Sequence, residues 1–275
     1  MSETSTINLL SKQSDAWDAY ESLLITELGY GGAAGGGKTR LGCYLEIAAC
    51  EQYKNARWAI GRKELKNLRL TTLAEMFTIF SELGYNKNDY TYNAQDSIIK
   101  FHGSGSEILL LDTAYSPQDP EYTRFGSLNL TGAWIDESNE TPEKAKQILK
   151  TRVGRNNTLV RVSDGVKVEV KPFWFETFNP NKGHVHRDYY KPWKDGTMPK
   201  YRMFIRALPG DNKHLPVAYI ENLKRADNTT KQRLLYGNFE YDNDPLKTMN
   251  YEAILDLKTN SIVPNHTRYL INDIA

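Results

Sequence analysis

The sequence predicts an α/β fold of the P-loop NTPase class. A mainly parallel central sheet flanked by helices is expected, with an antiparallel hairpin added and a small C-terminal helical lid. Three observations carry this. Residues 31–39 read Gly31-Gly32-Ala33-Ala34-Gly35-Gly36-Gly37-Lys38-Thr39 and contain the pattern G-x-x-x-x-G-K-[ST] from Gly32 to Thr39. The apolar run Leu23-Leu24-Ile25 precedes that stretch, and Leu41, Leu45 and Ala48 follow at helical spacing, giving strand, loop and helix in that order. Further on, the short apolar run Leu130 to Ile135 ends in Asp136-Glu137. An acidic pair at a strand end is the second nucleotide signature, and it makes the class ASCE/RecA-like.

The loop has its composition for a physical reason. Backbone N–H groups wrap a polyphosphate only if no Cβ blocks the approach, so Gly32, Gly35, Gly36 and Gly37 are expected to cradle the phosphates. The helix that follows adds free N–H groups and a favourable dipole. Lys38 brings a positive charge to the β- and γ-phosphates, and the Thr39 hydroxyl is a ligand for Mg²⁺. Asp136 would hold the Mg²⁺ shell. Glu137, one residue on, would accept a proton from the attacking water or orient it. ATP and Mg²⁺ are therefore the expected cofactors. A water-activating glutamate separates this pattern from small-molecule kinases.

Composition excludes other classes. The 275 residues carry 35 basic and 34 acidic side chains, which argues against a globally basic nucleic-acid binder. Apolar residues make up 40%, enough for a sizeable core. Cys43 and Cys50 lie two helical turns apart, roughly 10 Å, too far for a disulfide. Residues 1–7 lack a signal-peptide core, and no apolar run reaches the ~18 residues of a membrane span.

Taken in order, residues 8–20 read as a helix that Ser11 could cap. Gln13 has an amide suited to the adenine edge, or to solvent. The loop helix spans 38–52. Residues 55–62 read as a buried strand, expected beside the first, with Arg62 at its carboxyl end, where α/β sheets place ligands; it suits a phosphate or DNA contact, or equally a surface salt bridge. A helix over 63–83 follows. Residues 97–101 and 107–111 flank His102-Gly103-Ser104-Gly105, a hairpin signal. Thr141-Pro142-Glu143 reads as a capped helix start. The Lys144, Lys146, Lys150, Arg152 and Arg155 cluster faces either DNA phosphates or solvent. Residues 166–170 read as an edge segment before the core strand Phe173-Trp174-Phe175-Glu176, which runs into Thr177-Phe178-Asn179-Pro180. Thr177 and Asn179 suit sensing of the γ-phosphate or the attacking water, or ordinary turn chemistry. A strand over 201–207, a helix from 211 to about 224 and a second over 228–236 complete the pattern. Residues 1–210 are thus a P-loop ATPase core, 211–240 a helical lid and 241–265 a linker.

This ordered set is similar to the ATPase domain of the large terminase subunit of tailed double-stranded DNA bacteriophages. It comprises Gln13, Gly-Gly-Ala-Ala-Gly-Gly-Gly-Lys-Thr, a hairpin, Ile-Asp-Glu, Thr-Phe-Asn-Pro, then Asp-Asn, Leu-Pro and Arg-Leu-Leu-Tyr-Gly-Asn-Phe. The resemblance covers roughly residues 8–240 and implies an ATP-hydrolysing motor that moves double-stranded DNA into a procapsid. It implies an adenine contact for Gln13, a coupling role for Thr177 and Asn179, and an arginine finger given to a neighbouring subunit. Arg124 fits that finger best, with Arg152 and Arg155 behind it. The loop departs from many relatives, which carry an arginine where Ala34 stands. Implied partners are the portal protein, the small terminase subunit and further copies of the chain in a ring, a pentamer on the portal; the implied location is the host cytoplasm. Residues 266–275 resemble the first strand of an RNase H-like nuclease domain with Asp273 in its acidic position. The expectation is a chain cut at that boundary, without nuclease activity. Two other readings are a helicase-like DNA-dependent ATPase and a nucleotide-regulated assembly module with little turnover.

Overall fold

The structure, a computed structural model, describes residues 7–241. In chain order it contains α1 (Ser11–Glu21), β1 (Glu27–Gly32), α2 (Lys38–Gln52), β2 (Tyr53–Lys54), β3 (Arg57–Arg62), α3 (Leu65–Leu68), a π-helical turn (Arg69–Leu73) and α4 (Ala74–Glu82). Next come β4 (Tyr90–Asn93), β5 (Ile98–Phe101), β6 (Glu107–Asp112), β7 (Gly132–Ile135), α5 (Glu143–Lys150), β8 (Thr158–Arg161), β9 (Lys167–Glu169) and β10 (Phe173–Phe178). A second π-helical turn (His186–Tyr190), α6 (Lys191–Lys194), β11 (Arg202–Ala207), α7 (Val217–Arg225), α8 (Asn228–Thr230) and a third π-helical turn (Lys231–Leu235) follow.

Eight strands form the main sheet in the order β11-β1-β10-β7-β3-β6-β5-β4. Pairing is parallel from β11 to β6. The expected hairpin appears as β5 against β6, and β4 extends it, both antiparallel. A separate antiparallel sheet, β2-β8-β9, contains the residues expected to form an edge segment before the core strand.

Four local expectations are corrected. β3 does not lie beside β1, because β10 and β7 intervene. Both of those strands are buried along their whole length, which suits central strands covered on both faces. Secondly, the first strand is not Leu23-Leu24-Ile25. Leu23 and Leu24 are 87% and 75% exposed, and the strand begins at Glu27. Its bulk comes from its neighbours: a Cβ on Gly29 would lie 2.5 Å from the Tyr189 ring, and one on Gly31 2.2 Å from the Phe178 ring. Thirdly, neither expected side-chain cap forms. Gln13 Oε1 accepts the Leu10 N–H at 2.9 Å at the start of α1, and the Thr141 hydroxyl pairs with that of Thr113 at 3.2 Å. Fourthly, the helix expected from residue 211 begins at Val217, after Pro216, and Asp211 closes a short 3₁₀ turn instead.

The alternation of side chains along the central strands divides the core between two faces. Trp58, Ile60 and Trp134 join the α2 and α4 side, with Leu41, Leu45, Met76 and Phe80. Ala59, Ala133 and Ile135 join the α5 side, with Ala145, Leu149, Tyr122 and Phe125. Cys43 and Cys50 are buried, free thiols. The expected basic face on α5 is largely paired. Lys146 is buried against Glu176 and Asp188, Lys144 meets Glu121 and Lys150 meets Glu27. Among the described residues no helix is long and apolar enough to cross a membrane. Of the expected linker, 241–265, all but Tyr241 lies outside the described residues, as does the Asp273 segment.

Candidate nucleotide site

β1 delivers the chain into the loop at the carboxyl end of the sheet. Gly32, Gly35 and Gly37 take φ of 135°, 80° and 74°, a region that favours glycine. Gly37 stands at the N-cap of α2 with no side-chain capping bond. The first N–H groups of that helix therefore face the loop without a capping acceptor, the arrangement that binds anions. Lys38 is only 8% exposed. Its Nζ donates to Ala33 O at 2.7 Å and to Asn179 Oδ1 at 3.0 Å. Burial lowers its pKa, against the opposing pull of Glu137 and Asp136.

The acidic pair lies at the end of β7, beside the loop. Asp136 is 2% exposed and held on both oxygens. Oδ1 accepts from Thr177 Oγ1 at 2.7 Å and from the Glu137 N–H at 3.1 Å. Oδ2 accepts from Thr72 Oγ1 at 2.6 Å, and Arg62 Nη1 lies 3.7 Å away. Glu137 adopts φ 50°, ψ 47°, uncommon for a residue with a Cβ and a feature that clusters at functional sites. Its Oε2 accepts from Asn179 Nδ2 at 2.8 Å. One amide, Asn179, therefore joins the loop lysine to the acidic residue. Burial, and Asp136 behind it, raise the Glu137 pKa, although Lys38 and Arg62 pull it down.

Two cavities adjoin these groups. One, of about 470 Å³, is lined by Lys38, Thr39, Glu137 and Asn179 among others. The second, of about 530 Å³, is lined by Gln13, Gly37, Arg40, Tyr44 and His214 among others. Gln13 is tied to the loop itself, because its Nε2 donates to Gly37 O at 3.0 Å while Oε1 holds Leu10. One N–H and one lone pair of its amide remain for a ligand.

The structure thus brings together Gln13, the loop residues, Asp136, Glu137 and Asn179. Thr177 is fully buried, and its hydroxyl accepts from Trp134 Nε1 at 2.9 Å while donating to Asp136. It orients the carboxylate and does not line the cavity. Arg124 lies elsewhere, on the loop after β6. It donates to Asp119 at 2.9 Å and to Ala114 O at 2.6 Å, and its guanidinium lies against the Tyr122 and Phe125 rings, 4.7 and 4.9 Å from their centroids. Arg152 donates to Gly126 O at 3.0 Å and Arg155 is exposed. Sequence reasoning missed Thr72. The π-helical turn after α3 aims it at Asp136, and such turns recur at functional sites; the residue itself carries no local signal.

No family model matches this chain, and no curated protein matches it. Solved structures do. The fold and the loop are those of the P-loop NTPase fold class. Within that class, the chain shares its fold with the ATPase domains of phage large terminases. The large terminase from a thermophilic bacteriophage, in complex with ADP, superposes with a TM-score of 0.65 at 16% identity, over 84% of this chain and 54% of that one. The same terminase with ATP-γ-S gives 0.64. The HK97 bacteriophage large terminase gives 0.55 at 11% identity, over 79% of this chain and 42% of that one. The ATPase domain of the Thermus phage P74-26 large terminase gives 0.55 at 10% identity, over 84% of this chain and 93% of that one. The chain spans about half the length of the thermophilic phage terminase solved with ADP.

Proposed function

We propose that this chain is the ATPase part of a large terminase, hydrolysing ATP with Mg²⁺ to drive double-stranded viral DNA into a procapsid. The observation that carries the proposal is the Lys38–Asn179–Glu137 bridge. It places a phosphate-binding cation and a water-activating carboxylate on one side-chain amide. The fold it shares with terminases solved with ADP and ATP-γ-S supports the same reading.

In this mechanism the loop N–H groups and Lys38 hold the β- and γ-phosphates, and the cavity beside Gln13 takes the base. Glu137 orients the attacking water and takes its proton; burial makes it a stronger base than an exposed carboxylate. A phosphate that draws Lys38 from Asn179 also changes the grip of Asn179 on Glu137, which couples binding to the catalytic carboxylate. The hard oxygen donors Thr39 and Asp136 fit Mg²⁺, and Asp136, already held by hydroxyls, would hold it through water. Bound Mg²⁺ neutralises phosphate charge. The loop-borne Arg124 is assigned to a neighbouring copy's site. The motor would work as a ring on the portal protein, fed by the small terminase subunit, in the host cytoplasm.

The test is Glu137→Gln. The wild type should release phosphate in a Mg²⁺-dependent way with double-stranded DNA, while the variant binds ATP normally and turns over about 10²–10⁴-fold more slowly. A wild type that releases no phosphate, with DNA or at high protein concentration, sinks the motor.

A further inference from the structure

The π-helical turn Lys231–Leu235 lies directly on the phosphate loop. The Leu234 carbonyl accepts the Ala34 N–H at 2.9 Å. Gly237 is so close that a Cβ there would meet Ala33 N at 3.1 Å and Gly32 C at 3.4 Å. From the other end of the same segment, Asn212 Nδ2 donates to Gly35 O at 2.8 Å. A Cβ on Gly35 would lie 2.7 Å from Leu215. Residues 212–237 therefore hold the loop at successive positions, 32 to 35, and Asn212 and Leu215 of this segment line the cavity with Lys38, Thr39 and Glu137.

Arg233 sits in the middle of that contact, and its head group is unmatched. Its Nε is buried without a hydrogen-bond partner. Arg62 and Arg206 also have a buried Nε without a partner, but their Nη groups, like those of Arg40, are held. Arg40 is paired with Glu75 and Glu82, Arg62 donates to Thr71 at 2.5 Å beside Asp136, and Arg206 donates to Tyr236 O at 2.6 Å. No such acceptor holds Arg233 among the described residues. The charge it does face has the same sign: after burial and the opposing carboxylates, Arg233 is a further influence on Lys38, pushing it toward its neutral form. An arginine stays charged at any physiological pH. Two cations converging on one loop repel each other until an anion lies between them.

We propose that Arg233 is a phosphate ligand in cis, its guanidinium contacting the terminal phosphates of the nucleotide held by Gly32 to Thr39. Bound triphosphate then clamps residues 212–237 onto the loop, and nucleotide state is passed to that segment through one side chain. This rests on the nucleotide-binding reading above. The planar guanidinium suits two phosphate oxygens at once, which a lysine ammonium does not reproduce.

The experiment titrates a fluorescent N-methylanthraniloyl ATP into wild type, Arg233→Gln and Arg233→Lys, and follows amide hydrogen exchange over residues 228–238. Arg233→Gln keeps the packed stem and removes the charge. Its ATP Kd should rise at least about ten-fold, with Arg233→Lys between it and the wild type. The melting temperature without nucleotide should not change. In the wild type ATP should slow exchange over 228–238, and in Arg233→Gln it should not. Equal ATP affinity in wild type and Arg233→Gln overturns the role of the arginine and leaves the ATPase reading standing. Wild-type protein that binds ATP with no change in exchange over 228–238 overturns it as well, whatever the variants do. Wild-type protein that binds no nucleotide overturns the proposed function, and this role with it.

Discussion

Two lysines, Lys38 and Lys146, are buried to the same degree, 8% and 6% exposed, and are opposites in every other respect. Lys146 meets two carboxylates, Glu176 at 3.2 Å and Asp188 at 3.3 Å. Glu176 is itself saturated, accepting from Ser138, from Trp174 Nε1 at 2.6 Å and from Tyr189 at 3.0 Å. Lys38 touches only neutral oxygens, those of Ala33 and Asn179. The first lysine belongs to a closed network and the second is a charge kept for an incoming anion. A buried cation without a contacting carboxylate is costly, and at a phosphate loop that cost marks the binding site. The two clusters are neighbours along the chain, since Glu137 belongs to one and Ser138 to the other.

The comparison breaks most sharply at Lys146. Lys146→Met should cost about 3–5 kcal/mol of stability, because Glu176 loses its buried countercharge. Nucleotide affinity should hold. Burial pushes the Glu176 pKa up, but Lys146, Ser138 and Trp174 outweigh it and hold it at about 2, below the usual 4.5. The contribution of that carboxylate is therefore complete above about pH 4.5 and fades as pH falls toward 2. Urea unfolding across that range reads both effects. A loss under about 1 kcal/mol, or a loss of ATP affinity in its place, would erase the distinction. Lys38→Ala should do the reverse. Steady-state turnover should fall about 10²–10³-fold, with a urea midpoint no lower than that of the wild type. A marked drop in that midpoint would mean that Lys38 is structural too.

The same contrast decides what could be read in advance. The loop and the acidic pair were legible because phosphate chemistry fixes residue types at short spacing, Gly32 to Thr39 and Asp136-Glu137. Lys146 was not, and looked like one of several basic residues open to DNA or solvent. Its partners lie 30 and 42 residues away, on β10 and on the π-helical turn His186–Tyr190. Thr72 is hidden for the same reason, 64 residues from the carboxylate it orients. β1 was placed too early because its glycines borrow bulk from Tyr189 and Phe178, rings that no local pattern announces. The inserted position of β10 and β7 between β1 and β3 is a pairing choice, which periodicity does not encode. Asn179 was legible as a polar strand end, while its bridging of Lys38 and Glu137 needed the fold.

A third buried polar side chain sharpens the distinction, with the smallest expected effect. Glu46 on α2 is 1% exposed, and neither carboxyl oxygen has a partner. It belongs neither to the closed network nor to the nucleotide cavities, and burial drives its pKa well above the usual 4.5. The folded chain therefore holds this proton more tightly than the unfolded chain. Stability falls as pH rises above about 4.5 and levels off only above the folded pKa. Glu46→Met, of similar length and a good helix former, removes the unpaired group. It should stabilise the protein by roughly 1–3 kcal/mol at neutral pH, with turnover unchanged. The gain should be larger at pH 7 than at pH 4.5, because only there does the wild type carry the cost of withholding ionisation. Paired urea titrations at the two pH values measure it. A gain independent of pH would mean that Glu46 ionises as easily in the folded chain as in the unfolded one, and so has a polar partner there after all.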